Sequence, residues 1–137
     1  MTDEGASDPG PLVRLLGIRR TSSGNGACRF DLTVRPEHMN PYGVVHGGVV
    51  YSLVDTAMGG ALVSQLGPGE RCATLEIKIN YLAPVSEGTL AADARVVART
   101  RRIGVLDATV RDGGDRLVAV ATGSFYIQDA AKDDARG

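Results

Sequence analysis

Over residues 73–82 apolar and polar side chains alternate strictly, with Leu75, Ile77, Ile79 and Tyr81 on one side and Thr74, Glu76, Lys78 and Asn80 on the other. That is the period of a long strand with one buried face. Upstream, residues 49–66 form an almost unbroken run of apolar and small residues, in which Val50, Leu53, Val54, Ala57 and Ala61 fall on one stripe at helical spacing. Gly67-Pro68-Gly69 ends that helix. Weaker signals frame this pair. Residues 11–16 have a short helical pattern, Gly17 opens a strand that runs to a turn at Ser23-Gly24-Asn25-Gly26, and a second strand extends to Val34. The Asn-Gly pair in that turn is a hairpin signal. Three further strand-like runs follow, at residues 89–99, 105–111 and 117–127, separated by turn signals at 101–104 and 112–115. Two strands, one long helix and four strands predict an α+β domain in which an antiparallel sheet of about six strands wraps one central helix. A sheet with one apolar face and a helix apolar on nearly all sides bury one another. Residues 38–48 carry no regular period and read as a loop broken by Asn40-Pro41-Tyr42-Gly43.

The helix carries a carboxylate. At about 100° per residue, Asp55 lies well away from the Val50, Leu53, Val54, Ala57 stripe, and its neighbours on that side are Tyr51, Met58, Gly59 and Leu62. A second apolar face of this kind predicts a subunit interface or a ligand pocket. A carboxylate in such surroundings, with no cation at i±3 or i±4, is expensive unless it has acid or base work to do. His46-Gly47-Gly48 immediately precedes the helix. The first-turn amides there are orphan donors at the positive end of the helix dipole, and two glycines leave room for a ligand oxygen to approach. An amide in this position suits an oxyanion that develops on an attacked carbonyl. His46 reads as a residue that fixes the loop. With His38 as the only other histidine, no third ligand stands at useful spacing, so no metal and no cofactor is expected.

Composition narrows the function classes. The 137 residues suit one domain, hydrophobic residues make up 43%, and 15 basic against 16 acidic side chains give a net charge of -1. That balance argues against a nucleic-acid partner; Arg99, Arg101 and Arg102 form only a local patch, fit for a small anionic ligand at one edge. Two isolated cysteines, Cys28 and Cys72, support neither a disulfide framework nor a zinc site and fit a reducing cytoplasm. The acidic start has no secretory or mitochondrial character, and no run approaches the roughly 20 apolar residues of a membrane span. Residues 1–10 and the charged tail 128–137 are expected to be frayed, leaving a domain at 11–127.

The motif Asn40-x-x-Gly43-x-x-His46-Gly47-Gly48, followed by Leu53-Val54-Asp55-x-Ala57 and by Asn80-Tyr81-Leu82-x-Pro84, resembles the hotdog-fold thioesterases. The resemblance is strongest to the group containing phenylacetate-pathway thioesterases and 4-hydroxybenzoyl-CoA thioesterase, and covers about residues 15–127. It implies hydrolysis of an acyl-CoA by a homo-oligomer, a dimer of dimers, with loop and carboxylate drawn from different subunits. It further implies that Asp55 is a general base or a nucleophile, that Asn40 orients the water or thioester, that the Gly47 amide polarises the carbonyl, and that Thr74 helps hold the water. Arg101 and Arg102 stand where family members meet the nucleotide phosphates, although Arg101 replaces the family's glycine. Gly48 belongs to the same substrate-binding turn. Gly59, about one turn beyond Asp55, removes bulk beside the reaction centre, while Tyr51, Met58 and Leu62 supply apolar walls, so an aryl, arylacetyl or medium-chain acyl group is expected. The competing classes are a hotdog hydratase or dehydratase, which needs a histidine placed for proton transfer at carbon, and a non-catalytic acyl-CoA-binding module.

Overall fold

A computed structural model describes residues 8–129 of the chain. The element order is α1 (Pro11–Leu16), β1 (Ile18–Gly24), β2 (Ala27–Thr33), a 3-10 turn (Pro36–His38), α2 (Gly47–Val63), β3 (Glu70–Tyr81), β4 (Thr89–Arg99), β5 (Ile103–Asp112) and β6 (Leu117–Asp129). All strands pair antiparallel in one sheet of order β1-β2-β4-β5-β6-β3. The α+β hotdog architecture follows: α2 lies across the inner face and the sheet curls around it. Of the expected frayed ends, residues 1–7 and 130–137 lie outside the described residues, while Gln128 and Asp129 prolong β6 by two residues past Ile127.

Local chemistry explains the joints. Asn25 and Gly26 both take positive φ, 56° and 80°, which closes the β1–β2 hairpin as a two-residue turn of the type Asn-Gly favours. Inward positions of β2, β4, β5 and β6 bring Phe30, Leu32, Leu90, Leu106, Val110, Phe125 and Ile127 against Leu53, Val54, Ala57 and Ala61 of α2. Two strand glycines let the helix approach. A Cβ on Gly123 would stand 2.8 Å from Met58 Sδ, and one on Gly104 2.9 Å from Leu62 Cδ1. Met58 and Leu62 are consequently knobs in sheet holes, each 0% exposed. This corrects the expectation that they stand on a second, outward face: the sheet curls far enough to cover that side of the helix as well.

A second correction concerns β3. Its pairing with β6 shifts register between Thr74 and Glu76, and such a bulge exchanges the faces of the residues on its two sides. Ile77 and Ile79 face the helix as the alternation predicts, but Leu75 is turned outward at 57% exposure and Thr74 points inward.

Candidate active site

The loop before α2 is built around two side chains. His38 is buried; its Nδ1 accepts from the Arg35 N–H at 2.9 Å and its Nε2 lies 2.8 Å from the Leu16 carbonyl, so the ring ties the loop to the end of α1. The His38 carbonyl then accepts the His46 N–H at 2.8 Å, and a bridge pairs Met39 with Val45. Between them Asn40 organises the turn. Its Oδ1 accepts from the Tyr42 and Val44 amides at 2.9 and 3.2 Å, and its own N–H donates to the Val44 carbonyl at 2.7 Å. With the side-chain oxygen committed, the Nδ2 group, unpartnered among the described residues, can act only as a donor.

His46 is the N-cap of α2, and its Nδ1 accepts the Gly48 N–H at 2.8 Å. The cap uses Nδ1 as an acceptor. The same bond commits the Gly48 amide. The Gly47 N–H is the first-turn donor with no partner among the described residues. Gly47 borders an apolar cavity of about 310 Å³ lined by Val45, Val50, Leu82, Pro84 and Val118.

Asp55 is half-buried, and the Thr74 hydroxyl donates to its Oδ1 at 2.6 Å, the short contact expected of a hydroxyl on a carboxylate. The bulge in β3 is what turns Thr74 inward to make this bond. No Lys, Arg or His forms an ion pair with Asp55 among the described residues. Cys72, two residues before Thr74, sits close enough to feel the carboxylate: burial first, and the negative charge of Asp55 second, push its thiol pKa up. Among the described residues no cluster of three or more His, Cys, Asp or Glu could hold a metal ion. No helix among them is long and apolar enough to cross a membrane.

The two ends of the candidate chemistry do not meet within one copy. Asp55 lies eight residues beyond Gly47 in α2, about 12 Å along the axis at 1.5 Å per residue. Helical N–H groups point toward the N-terminus, so the open Gly47 amide faces away from Asp55. A carbonyl held by that amide is out of reach of the same copy's carboxylate.

The remaining sequence-predicted residues divide. Tyr51 is half-buried, about one helical turn before Asp55 in α2. A Cβ on Gly59 would meet nothing closer than Phe125 Cε2 at 3.9 Å, and Gly59 borders a cavity of about 230 Å³ with Val13, Phe30, Thr56 and Val63. Gly60 is different, since a Cβ there would stand 2.7 Å from Cys28 Sγ and 3.2 Å from Phe30 Cε2. Gly59→Ala should therefore raise stability by up to about 1 kcal/mol through helix propensity. Gly60→Ala should lower it by about 1–3 kcal/mol through overpacking. Thermal unfolding of the two variants checks the ranking. Arg99 is committed, with Nη1 on the Gln65 carbonyl at 2.8 Å and Nη2 on Glu70 at 3.1 Å, so it leaves the predicted basic patch. Arg101 and Arg102, in the β4–β5 turn, form no ion pair among the described residues. Away from that turn, a concavity of about 700 Å³ lies on the outer face of the sheet between Lys78, Asp93, Arg95, Asp107 and Thr122.

Sequence reasoning placed Tyr81 in the strand and in the motif Asn80-Tyr81-Leu82-x-Pro84 but gave it no role. Its hydroxyl donates to the Gly47 carbonyl at 2.8 Å. A tyrosine where phenylalanine would serve a buried face is the signal that was available, because a partly buried phenol finds a partner.

The model of the thioesterase superfamily matches residues 42–119, more than half of the chain. The chain belongs to the thioesterase superfamily. Among solved structures, the conserved protein PA5202 of Pseudomonas aeruginosa superposes with TM-score 0.84 at 38% identity, covering 87% of this chain and 94% of that one. The thioesterase HI1161 of Haemophilus influenzae gives 0.83 at 28% identity, covering 87% and 83%. The PaaI protein of the phenylacetic acid degradation operon of Escherichia coli gives 0.78 at 29%, covering 84% and 82%. This thioesterase is thus a thioester hydrolase on the hotdog fold, and the matched span holds Gly47, Asp55 and Thr74 together.

Proposed function

We propose that this thioesterase hydrolyses an acyl-CoA to the free acid and CoA at sites shared by two copies of the chain. The observation that carries this reading is the open Gly47 amide, which points away from the Asp55 of its own helix. A second copy must then supply the carboxylate. The unpaired edge of β3, twelve residues without a proline, runs beside Thr74 and Asp55 and offers the natural seam for a two-fold partner. Such dimers can pair again into a tetramer. Two thiols, Cys28 and Cys72, make a cytoplasmic setting part of the same reading.

The roles follow from what each group can still do. The thioester oxygen accepts from the Gly47 N–H and from the Asn40 Nδ2 of one copy. Asp55 of the other takes a proton from a water that Thr74 helps to place, and the water oxygen attacks the carbonyl carbon. The tetrahedral oxyanion is held by the donors at the positive end of α2, and its collapse expels the CoA thiolate. A direct attack by Asp55, forming an anhydride that water then opens, uses the same groups. His46, spent on its cap, is poorly placed for the proton transfer at carbon that a hydratase needs, which ranks that alternative lower. Arg101 and Arg102 would meet the nucleotide phosphates.

For the acyl group, the open flank of Gly59 and the apolar cavities at Gly47 and Gly59 favour an aryl, arylacetyl or medium-chain acyl group, a choice to which the phenylacetic acid operon of the PaaI neighbour adds weight. Each buried methylene is worth about 0.8 kcal/mol at best, so phenylacetyl-, benzoyl- or hexanoyl-CoA should exceed acetyl-CoA by several tens-fold in kcat/KM. A hydrolysis panel with free-thiol detection, run with and without a chelator, tests this. No release of CoA from any thioester would refute the activity, and acetyl-CoA matching the bulky substrates would refute the pocket. Gly59→Leu should depress activity on bulky thioesters selectively.

A further inference from the structure

We propose that Tyr81 is a positioning residue for the oxyanion donor, acting through the peptide groups of the first turn of α2. The inference rests on the reading of Gly47 given above and extends it to a side chain outside the catalytic set. Three contacts converge on the Gly47–Gly48 peptide. The Tyr81 hydroxyl donates to the Gly47 carbonyl at 2.8 Å. The ring lies flat enough on Gly47 that a Cβ built there would come 3.2 Å from Cζ and 3.3 Å from the phenol oxygen. On the far side of the same peptide, the Gly48 N–H donates to His46 Nδ1 at 2.8 Å.

These bonds form a chain, from Tyr81 O–H to the Gly47 carbonyl and from the Gly48 N–H to the imidazole. Each bond polarises the next through the shared peptide group. The chain fixes the orientation of the Gly47–Gly48 peptide from both ends. The open Gly47 N–H belongs to the preceding His46–Gly47 peptide, whose carbonyl accepts the Val49 N–H at 2.9 Å; glycine has the widest backbone freedom of any residue, so holding the Gly47–Gly48 peptide still limits the rotation about Gly47 through which the open amide could turn. A donor aimed where charge develops needs no reorganisation at the moment of reaction, which is the condition under which it accelerates the step. The first carbonyl of α2 has two lone pairs, so Tyr81 can bond it without displacing the helical bond to the fourth residue on.

The phenol keeps its proton for this task. Burial first, and the neighbouring Tyr51 second, push the Tyr81 pKa above that of an ordinary tyrosine, which keeps the group a donor across the range in which the enzyme would work. The ring remains 49% exposed, at the rim of the apolar cavity beside Gly47, so the clamp stands at the entrance and not in the core.

The test uses the whole chain and its preferred acyl-CoA. Tyr81→Phe keeps the ring against Gly47 and removes only the hydroxyl. It is expected to lower kcat about tenfold, the loss of one well-aligned hydrogen bond, with KM within about twofold and the melting temperature unchanged. Tyr81→Ala, which frees the turn altogether, should lose a further tenfold or more in kcat. A second readout separates positioning from packing. With a ketone analogue of the substrate, in which a methylene replaces the thioester sulfur, the bound carbonyl stretch should sit at lower frequency in the wild type than in Tyr81→Phe. Wild-type kcat in Tyr81→Phe, a change in KM alone, or an unaltered carbonyl stretch overturns the proposal. Asp55→Asn runs beside them: if it too hydrolyses at the wild-type rate, the catalytic assignment itself has failed, whereas an inactive Asp55→Asn with a fully active Tyr81→Phe removes only the positioning role.

Discussion

Asp55→Ala is expected to lower turnover at least about a hundredfold while leaving the fold and the melting temperature nearly unchanged. General-base contributions are of this size or larger, and among the described residues the Asp55 side chain takes one hydrogen bond, the 2.6 Å bond from Thr74. Losing a half-buried carboxylate costs little in packing, because the core contacts of α2 are carried by Leu53, Val54, Ala57 and Met58. Asp55→Asn sharpens the result. Its side-chain oxygen can still accept from Thr74, so the local structure is preserved while the proton acceptor is gone. Circular dichroism and steady-state kinetics on both variants decide the matter: a folded Asp55→Ala protein with near wild-type kcat would remove Asp55 from the mechanism. Loss of activity accompanied by unfolding would assign it to structure instead.

Much of the architecture was legible because the signals are local. The helical stripe of Val50, Leu53, Val54, Ala57 and Ala61 depends only on spacing, and all five are buried. The Asn25-Gly26 turn depends only on which residues tolerate positive φ. The errors arose where a distant element decides. Strict alternation through residues 74–77 gave no sign of a bulge, because a bulge is a property of a pair of strands, and β6 lies more than forty residues away. The burial of Met58 and Leu62 depends on Gly123 and Gly104, whose value as holes appears only once the sheet has curled. Asn40, Gly47, Asp55 and Thr74 were named together through the resemblance, and spacing alone could not give the Thr74–Asp55 bond. The same bulge that defeated the alternation is what makes that bond.

Mixing two inactive variants should restore activity, and the amount is set by symmetry. Let one chain carry Asp55→Ala and the other Asn40→Ala. On the proposed arrangement, in which a site takes Asn40 and Gly47 from one copy and Asp55 from its neighbour, each parent alone has every site damaged. In a mixed dimer one site joins the intact Asn40 loop of the first chain to the intact Asp55 of the second, while the other site carries both lesions. Random association of equal amounts makes half of the dimers mixed, and half of their sites whole, so about a quarter of wild-type activity should return. Pairing of dimers into tetramers leaves that fraction unchanged. Co-expression with two tags, followed by a thiol-release assay on the purified mixture, gives the number directly. Activity no greater than the average of the two parents would mean that loop and carboxylate serve the same site within one copy. The geometry of α2 argues against that outcome, because the Gly47 amide points out of the helix end while Asp55 stands about 12 Å behind it.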